Sequence, residues 1–178
     1  DADTINSNTE TQSLNFNIEN TGTSPCYYFV TINEGLYGDF NFNRQAKITH
    51  AFPVIFQNAD LDKISYQLYS QSITSNNILK SLDEAVFDQN VIGPNQILPG
   101  QTLSDNFLIH VPSQKLPNLI AESYEDNVVL TLYKSNSLPI DYVNDCPTCI
   151  QENQQTLSIQ FKITDYITLS IGNSYNPS

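Results

Sequence analysis

The chain has 178 residues, 39% hydrophobic and 11% aromatic, enough to bury a core and too apolar for a disordered acidic tail. Nineteen Asp and Glu against seven Lys and Arg give a formal charge of -12, which opposes contact with a phosphate backbone or an anionic membrane and excludes nucleic acid as a partner. No apolar run reaches the length of a membrane span, and with no basic start leading into an apolar stretch, Asp1-Ala2-Asp3 reads as the mature start of a secreted chain.

Runs of alternating apolar and polar residues recur between clusters of Gly, Pro, Asn and Asp, the pattern of an antiparallel sheet protein. Residues Asp1 to Gln12 are almost wholly polar, with Ala2 and Ile5 the exceptions. Leu14, Phe16 and Ile18 then alternate with asparagine, and after the turn signal Asn20-Thr-Gly22 comes the run Tyr27 to Ile32. Asn58-Ala-Asp60 precedes the alternation of Ile64, Tyr66 and Leu68. The stretch Ile78 to Phe87, carrying Leu79, Leu82 and Val86, is the one candidate helical turn. Turn signals at Gly93-Pro94-Asn95 and Leu98-Pro99-Gly100 lead to Phe107, Ile109 and Val111, and Val128 to Leu132 follows before Leu138-Pro139.

The clearest run is Leu157, Ile159, Phe161 and Ile163, with a polar residue at every even position, so one face packs and the other meets water. The same parity resumes at Ile167, Leu169 and Ile171. Asp165 falls on the apolar face between them, where the strand is expected to bulge or end, its continuation joining a second sheet or leading out of the domain. About eight strands predict an all-β fold, an antiparallel two-sheet sandwich of immunoglobulin-like or pilin-like type. Residues 1–171 are expected to form one self-completed domain, and 172–178, which end in turn formers, a linker towards a following domain.

Chemistry is sparse. His110 sits on the polar parity of its strand and His50 stands before an apolar run with no Ser or Cys motif beside it, so no triad is expected. Cys146 and Cys149 are the only closely spaced thiols, and zinc would need further ligands that Cys26 and two histidines are poorly placed to supply. A polar loop follows Cys149 where a redox dithiol would open a helix. The pair therefore reads as a loop staple, either Cys146 to Cys149 or one of them to Cys26. No calcium loop or phosphate-cradling glycine loop is present, and neither enzymatic activity nor any metal or cofactor is expected.

Two stretches resemble the spore-coat-U-like domain of archaic chaperone–usher pili. The first opens at Cys26, carries Gly35 in the following turn and Arg44 beyond it, and continues into Ile64, Tyr66, Leu68 and Tyr69. The second is Glu122-Ser-Tyr124-Glu-Asp126, leading into Val128, Leu130 and Thr131. The chain departs from that family in having no earlier cysteine to pair with Cys26 and in carrying Glu122 where a glycine is usual. The resemblance implies a pilus subunit, and the polar N-terminal stretch together with the added strand at Leu157 to Ile163 suits the tip-facing receptor half of a two-domain adhesin. Its expected partners are a pilin domain C-terminal to it, a periplasmic chaperone and an outer-membrane usher during assembly, and an abiotic or host surface. Its expected place is extracellular, at the pilus tip. A structural pilin completed by a donor strand and a carbohydrate-binding lectin domain are the alternatives.

Three loops hold more apolar residues than a loop needs. They carry Leu36, Tyr37, Phe40 and Phe42; Ile97 and Leu98; and Leu138, Pro139, Ile140 and Tyr142. In an alternating antiparallel fold the second and third loops should share one end and the first should lie at the other, which makes Ile97, Leu98, Leu138, Pro139, Ile140 and Tyr142 the favoured binding residues.

Overall fold

The computed structural model describes residues 3–5, 10–48, 63–85, 89–112, 123–138, 149–163 and 167–173. His50, Asn58 to Asp60, Pro139, Ile140, Tyr142, Cys146 and Asp165, all singled out above, lie outside them.

Alternation translates directly into strands. Leu157, Ile159 and Phe161 are buried while Lys162 is exposed, as a pleated backbone with one packed face requires. Among the described residues there are ten strands: β1 (Asp3–Ile5), β2 (Glu10–Glu19), β3 (Cys26–Ile32), β4 (Arg44–Ile48), β5 (Lys63–Tyr69), β6 (Ile92–Ile97), β7 (Thr102–Val111), β8 (Ser123–Ser135), β9 (Ile150–Ile163) and β10 (Ile167–Asn173). All pairings are antiparallel. The fold is therefore all-β and antiparallel. The hydrogen-bonded path runs without a break in the order β1-β10-β9-β8-β4-β5-β7-β2, so pairing does not divide it into two separate sheets.

The path folds over a shared core. β5 is the hinge: its first half pairs with β4 at Arg44↔Tyr66 and its second half with β7 at Leu68↔Ile109. Phe107 and Ile109 of β7 thereby join Ile32, Ile64, Tyr124, Val128, Ile159 and Phe161 in one buried cluster, with Leu14, Phe16 and Ile18 of β2 packed against it. Burying these side chains removes the largest apolar surfaces of the chain from water and supplies the main force for folding.

β8 is the central strand. β9 pairs along it from Ser123↔Lys162 to Lys134↔Ile150. The opposite edge is shared end to end, β3 covering Leu130 to Ser135 and β4 covering Tyr124 and Glu125. Between those two contacts the chain leaves the edge and returns, and residues 33–43 form that excursion.

Three local expectations change. Gly93-Pro94-Asn95 lies inside β6 rather than in a turn: the register against β3 shifts there, and Gly93 has φ +93° with Tyr28 O only 2.8 Å from where a Cβ would stand. A bulge next to a close backbone approach explains why glycine and proline occur together inside a strand. The candidate helical stretch holds one hydrogen-bonded turn, Glu84 N donating to Ser81 O at 3.1 Å, but no helix among its described residues; the 3-10 helix comes earlier, at Ser75–Asn77, and Leu79 is a buried core residue. β9 ends at Ile163, one of the two outcomes expected near Asp165, and the continuation β10 pairs back on β9, with Leu169 opposite Phe161, rather than joining a second sheet or leading out of the domain.

Candidate functional site

The excursion 33–43 is where buried polar chemistry and exposed apolar surface meet. Arg44 opens β4 fully buried, and all three nitrogens of its planar fork are engaged: Nε and Nη2 donate to Asn33 O at 3.1 and 2.7 Å, Nη2 to Leu79 O at 2.8 Å and Ile32 O at 3.2 Å, and Nη1 to Gln67 Oε1 at 2.6 Å. A guanidinium suits this place because it supplies five donors in fixed directions. Burial lowers its pKa to about 10, with the nearby Tyr66 and Asp126 working against the shift.

Asp126 anchors the other side. Its Oδ2 accepts the Tyr66 hydroxyl at 2.6 Å, and its Oδ1 accepts Leu36 N and Asn127 N, both at 2.8 Å. Desolvation raises the Asp126 carboxyl above its ordinary value despite these bonds, and desolvation together with Asp126 raises the Tyr66 phenol. Gly35, with φ +87°, makes the approach possible, since a Cβ there would collide with Asp126 Oδ2. Asn33 ties the same segment to β8 by accepting Val129 N at 2.8 Å through Oδ1.

The crown of the excursion has its own frame. Asp39 accepts Asn41 N at 2.9 Å, Asn43 N at 3.1 Å and Asn43 Nδ2 at 3.0 Å, and the Asn43 amide above all holds the carboxyl below its usual range. Phe42, at φ 60°, donates its N–H to Asp39 O at 2.8 Å, while Gln67 Nε2 donates to Phe42 O at 2.6 Å. Held this way, Leu36, Tyr37 and Phe40 face solvent at 62%, 38% and 85% exposure. Lys47 Nζ stands 4.9 Å above the Tyr37 ring.

Leu98 and Leu138 are exposed elsewhere. Ile97 pairs with Cys26 and Ser135 with Tyr27, so the segments following β6 and β8 leave from the same end, on either side of β3 and about 10 Å apart by strand spacing. Asn20 fixes the turn at this end: its N–H donates to Gln101 O at 3.0 Å, its carbonyl accepts Gly100 N at 2.8 Å and its Nδ2 reaches Ile97 O at 3.1 Å. The excursion 33–43 lies at neither end but alongside the middle of β8, because β3 and β4 run the same way along one edge.

Two of the expected binding residues are not on the surface. Ile97 is 1% exposed and packs with Cys26 and Tyr28, and Phe42 is 2% exposed beneath Arg44, whose Cζ is 5.6 Å from its ring. Each plugs the base of the loop whose exposed apolar residue stands nearby. Cys26 is free and buried, whereas Cys149 is disulfide-bonded; Cys26 is therefore not its partner. His110 accepts or donates a 3.0 Å hydrogen bond with Thr11 through Nδ1 and meets the edge of Tyr69, a cross-strand role. Among the described residues no group of three or more His, Cys, Asp or Glu is placed to hold a metal ion, and no helix is long and apolar enough to cross a membrane.

Asn33 and Gln67 were missed by reading the sequence, where they are ordinary members of an Asn- and Gln-rich chain, and Asn20 was read only as part of a turn signal. Neither protein-family models nor curated protein sequences give a match to this chain.

Proposed function

We propose that this chain is the adhesive tip domain of a bacterial pilus of the archaic chaperone–usher type, displayed outside the cell and attaching to abiotic or host surfaces through exposed apolar loops. The observation that carries this reading is Phe40, 85% exposed at the crown of a loop whose backbone is fixed by Asp39 on one side and Asp126 on the other. A solvent-facing phenylalanine held by a built frame costs the free protein apolar exposure and is repaid only on contact, at about 25 cal/mol per Å2 of apolar area removed from water. Many pili acting together make even a weak contact adhesive. One further feature supports the reading. The residues that carry the resemblance, Gly35, Arg44, Tyr66 and Asp126, meet around one buried cluster. A periplasmic chaperone and an outer-membrane usher would act in assembly.

The test is adsorption of the purified chain to methylated and to bare silica. Leu36→Ser with Phe40→Ser should lose adsorption to the methylated surface, and Leu98→Ser with Leu138→Ser should retain it. The reverse result moves the site to the other end, and retention by both variants overturns apolar attachment.

A second reading, a structural pilin completed by a donor strand, is favoured by one feature. Among the described residues β2 pairs on one edge only, and beside it Phe16, Ile18, Val30, Leu130 and Leu132 line a cavity of about 140 Å3. Thermal stabilisation by an added peptide of alternating apolar residues would favour that reading.

A further inference from the structure

The outward face of β3 and β8 carries a cleft of about 560 Å3, within the range of small-molecule sites. Its floor is the cross-strand pair Thr31 and Thr131, with Val129 beside them. Gln154 of β9 forms one wall and donates to Thr131 Oγ1 at 3.2 Å; Leu82 and Asp83 form the other. Tyr133 closes one end, its ring stacked on Phe29 with centroids 5.1 Å apart and an interplanar angle of 11°.

The polar groups here are available in a way that those of a second outward cleft, of about 510 Å3 beside Arg44, are not. There, Asp39 is occupied by Asn41 and Asn43, Gln67 by Arg44 and Phe42, and Tyr66 by Asp126. In the Thr31 cleft neither the Thr31 hydroxyl nor the Asp83 carboxylate makes a hydrogen bond among the described residues. Asn33 spends its Oδ1 on Gly35 N and Val129 N, leaving its Nδ2 without an acceptor there. Burial, and secondly the Asp83 charge, raise the Tyr133 phenol, which puts that carboxylate within electrostatic reach of the ring.

We propose that this cleft binds a neutral saccharide of one or two pyranose rings. A sugar presents a C–H face and a girdle of hydroxyls that both donate and accept. Tyr133, Leu82 and Val129 offer apolar surface for the first, while the Asp83 carboxylate, the Asn33 amide and the Thr31 hydroxyl answer the second. No Lys or Arg lines the cleft and the chain carries -12, so acidic sugars and phosphates are disfavoured. Thr31, Val129, Thr131, Tyr133 and Gln154 stand on paired strands, which fixes their spacing before the ligand arrives, while Asn33, Leu82 and Asp83 come from connecting segments. The site shares Asn33 with the base of the Phe40 loop but none of that loop's exposed apolar residues, and its test does not depend on attachment through them.

The experiment is calorimetric titration and NMR of the chain with glucose, galactose, mannose, N-acetylglucosamine and their β-linked dimers, with glucuronic and sialic acids as anionic controls. At least one neutral sugar should bind saturably and shift the Tyr133 ring signals, and Asp83→Ala should weaken it about tenfold or more with an unchanged thermal midpoint. Thr31→Val, which keeps the shape of the floor, should weaken it too. Binding by no neutral sugar, binding unaffected by both substitutions, or equal binding of the acidic sugars would each overturn the assignment.

Discussion

The Tyr66 hydroxyl donates a 2.6 Å hydrogen bond to Asp126 Oδ2 inside the core, while the other oxygen of the same carboxylate holds the N–H of Leu36. One side chain thus links β5, β8 and the excursion between β3 and β4. Because a buried carboxylate is costly unless its lone pairs are filled, the position of the excursion and the stability of the core depend on each other.

Gly35→Ala puts a methyl group against Asp126 Oδ2 at a backbone angle of +87°. The variant should unfold about 2 kcal/mol more easily in a urea titration. An unchanged midpoint would mean that Asp126 does not hold this segment.

Arg44→Lys keeps the charge and removes the fork. A lysine ammonium has three donors from one point and cannot reach the carbonyls of Asn33 and Leu79 together with Gln67. Loss of about 3 kcal/mol is expected by chemical denaturation, as for a buried charge deprived of its partners.

Phe40 and Phe42 are two positions apart and should behave oppositely. Phe40→Ser removes an 85% exposed ring and should change stability by less than about 0.5 kcal/mol, its effect being confined to surface adsorption. Phe42→Ala empties a site 2% exposed and should cost about 3 kcal/mol. Thermal melts of the two proteins side by side make the comparison.

The raised Asp126 carboxyl has a definite sign. A carboxyl whose folded value lies above its ordinary 3.8 binds protons more readily in the native state, so its contribution favours folding at acid pH and is lost as pH rises through the folded value. Asp126→Asn removes this dependence. The stability of the native sequence relative to that variant should therefore grow between pH 7 and pH 4, measured as the difference in urea midpoints; a difference that shrinks would mean the carboxyl is lowered, not raised.

The strand content was legible because period-two alternation reports directly which positions a pleated strand buries. Leu14 to Ile18, Ile64 to Leu68, Phe107 to Val111 and Leu157 to Phe161 all lie within strands of the expected parity. β4 and β6 escaped this reading for local reasons. β4 begins with a buried arginine, and β6 contains a Gly-Pro pair that signals a turn unless the bulge against Tyr28 is known. The apolar loops were visible as composition, but their residues were not separable: Phe40 and Phe42, or Ile97 and Leu98, look alike until their neighbours are placed.

By itself, then, the sequence determined the class of fold, the net charge of -12 and which loops carry apolar residues, since each follows from local period or composition. Only the tertiary structure decided that β3 and β4 share one edge of β8, that Phe42 and Ile97 turn inward, and that Thr31, Asp83 and Tyr133 border one cleft. These depend on contacts between residues far apart in the chain. Pairing register and the filling of buried hydrogen bonds set such contacts, and neither has a local signature.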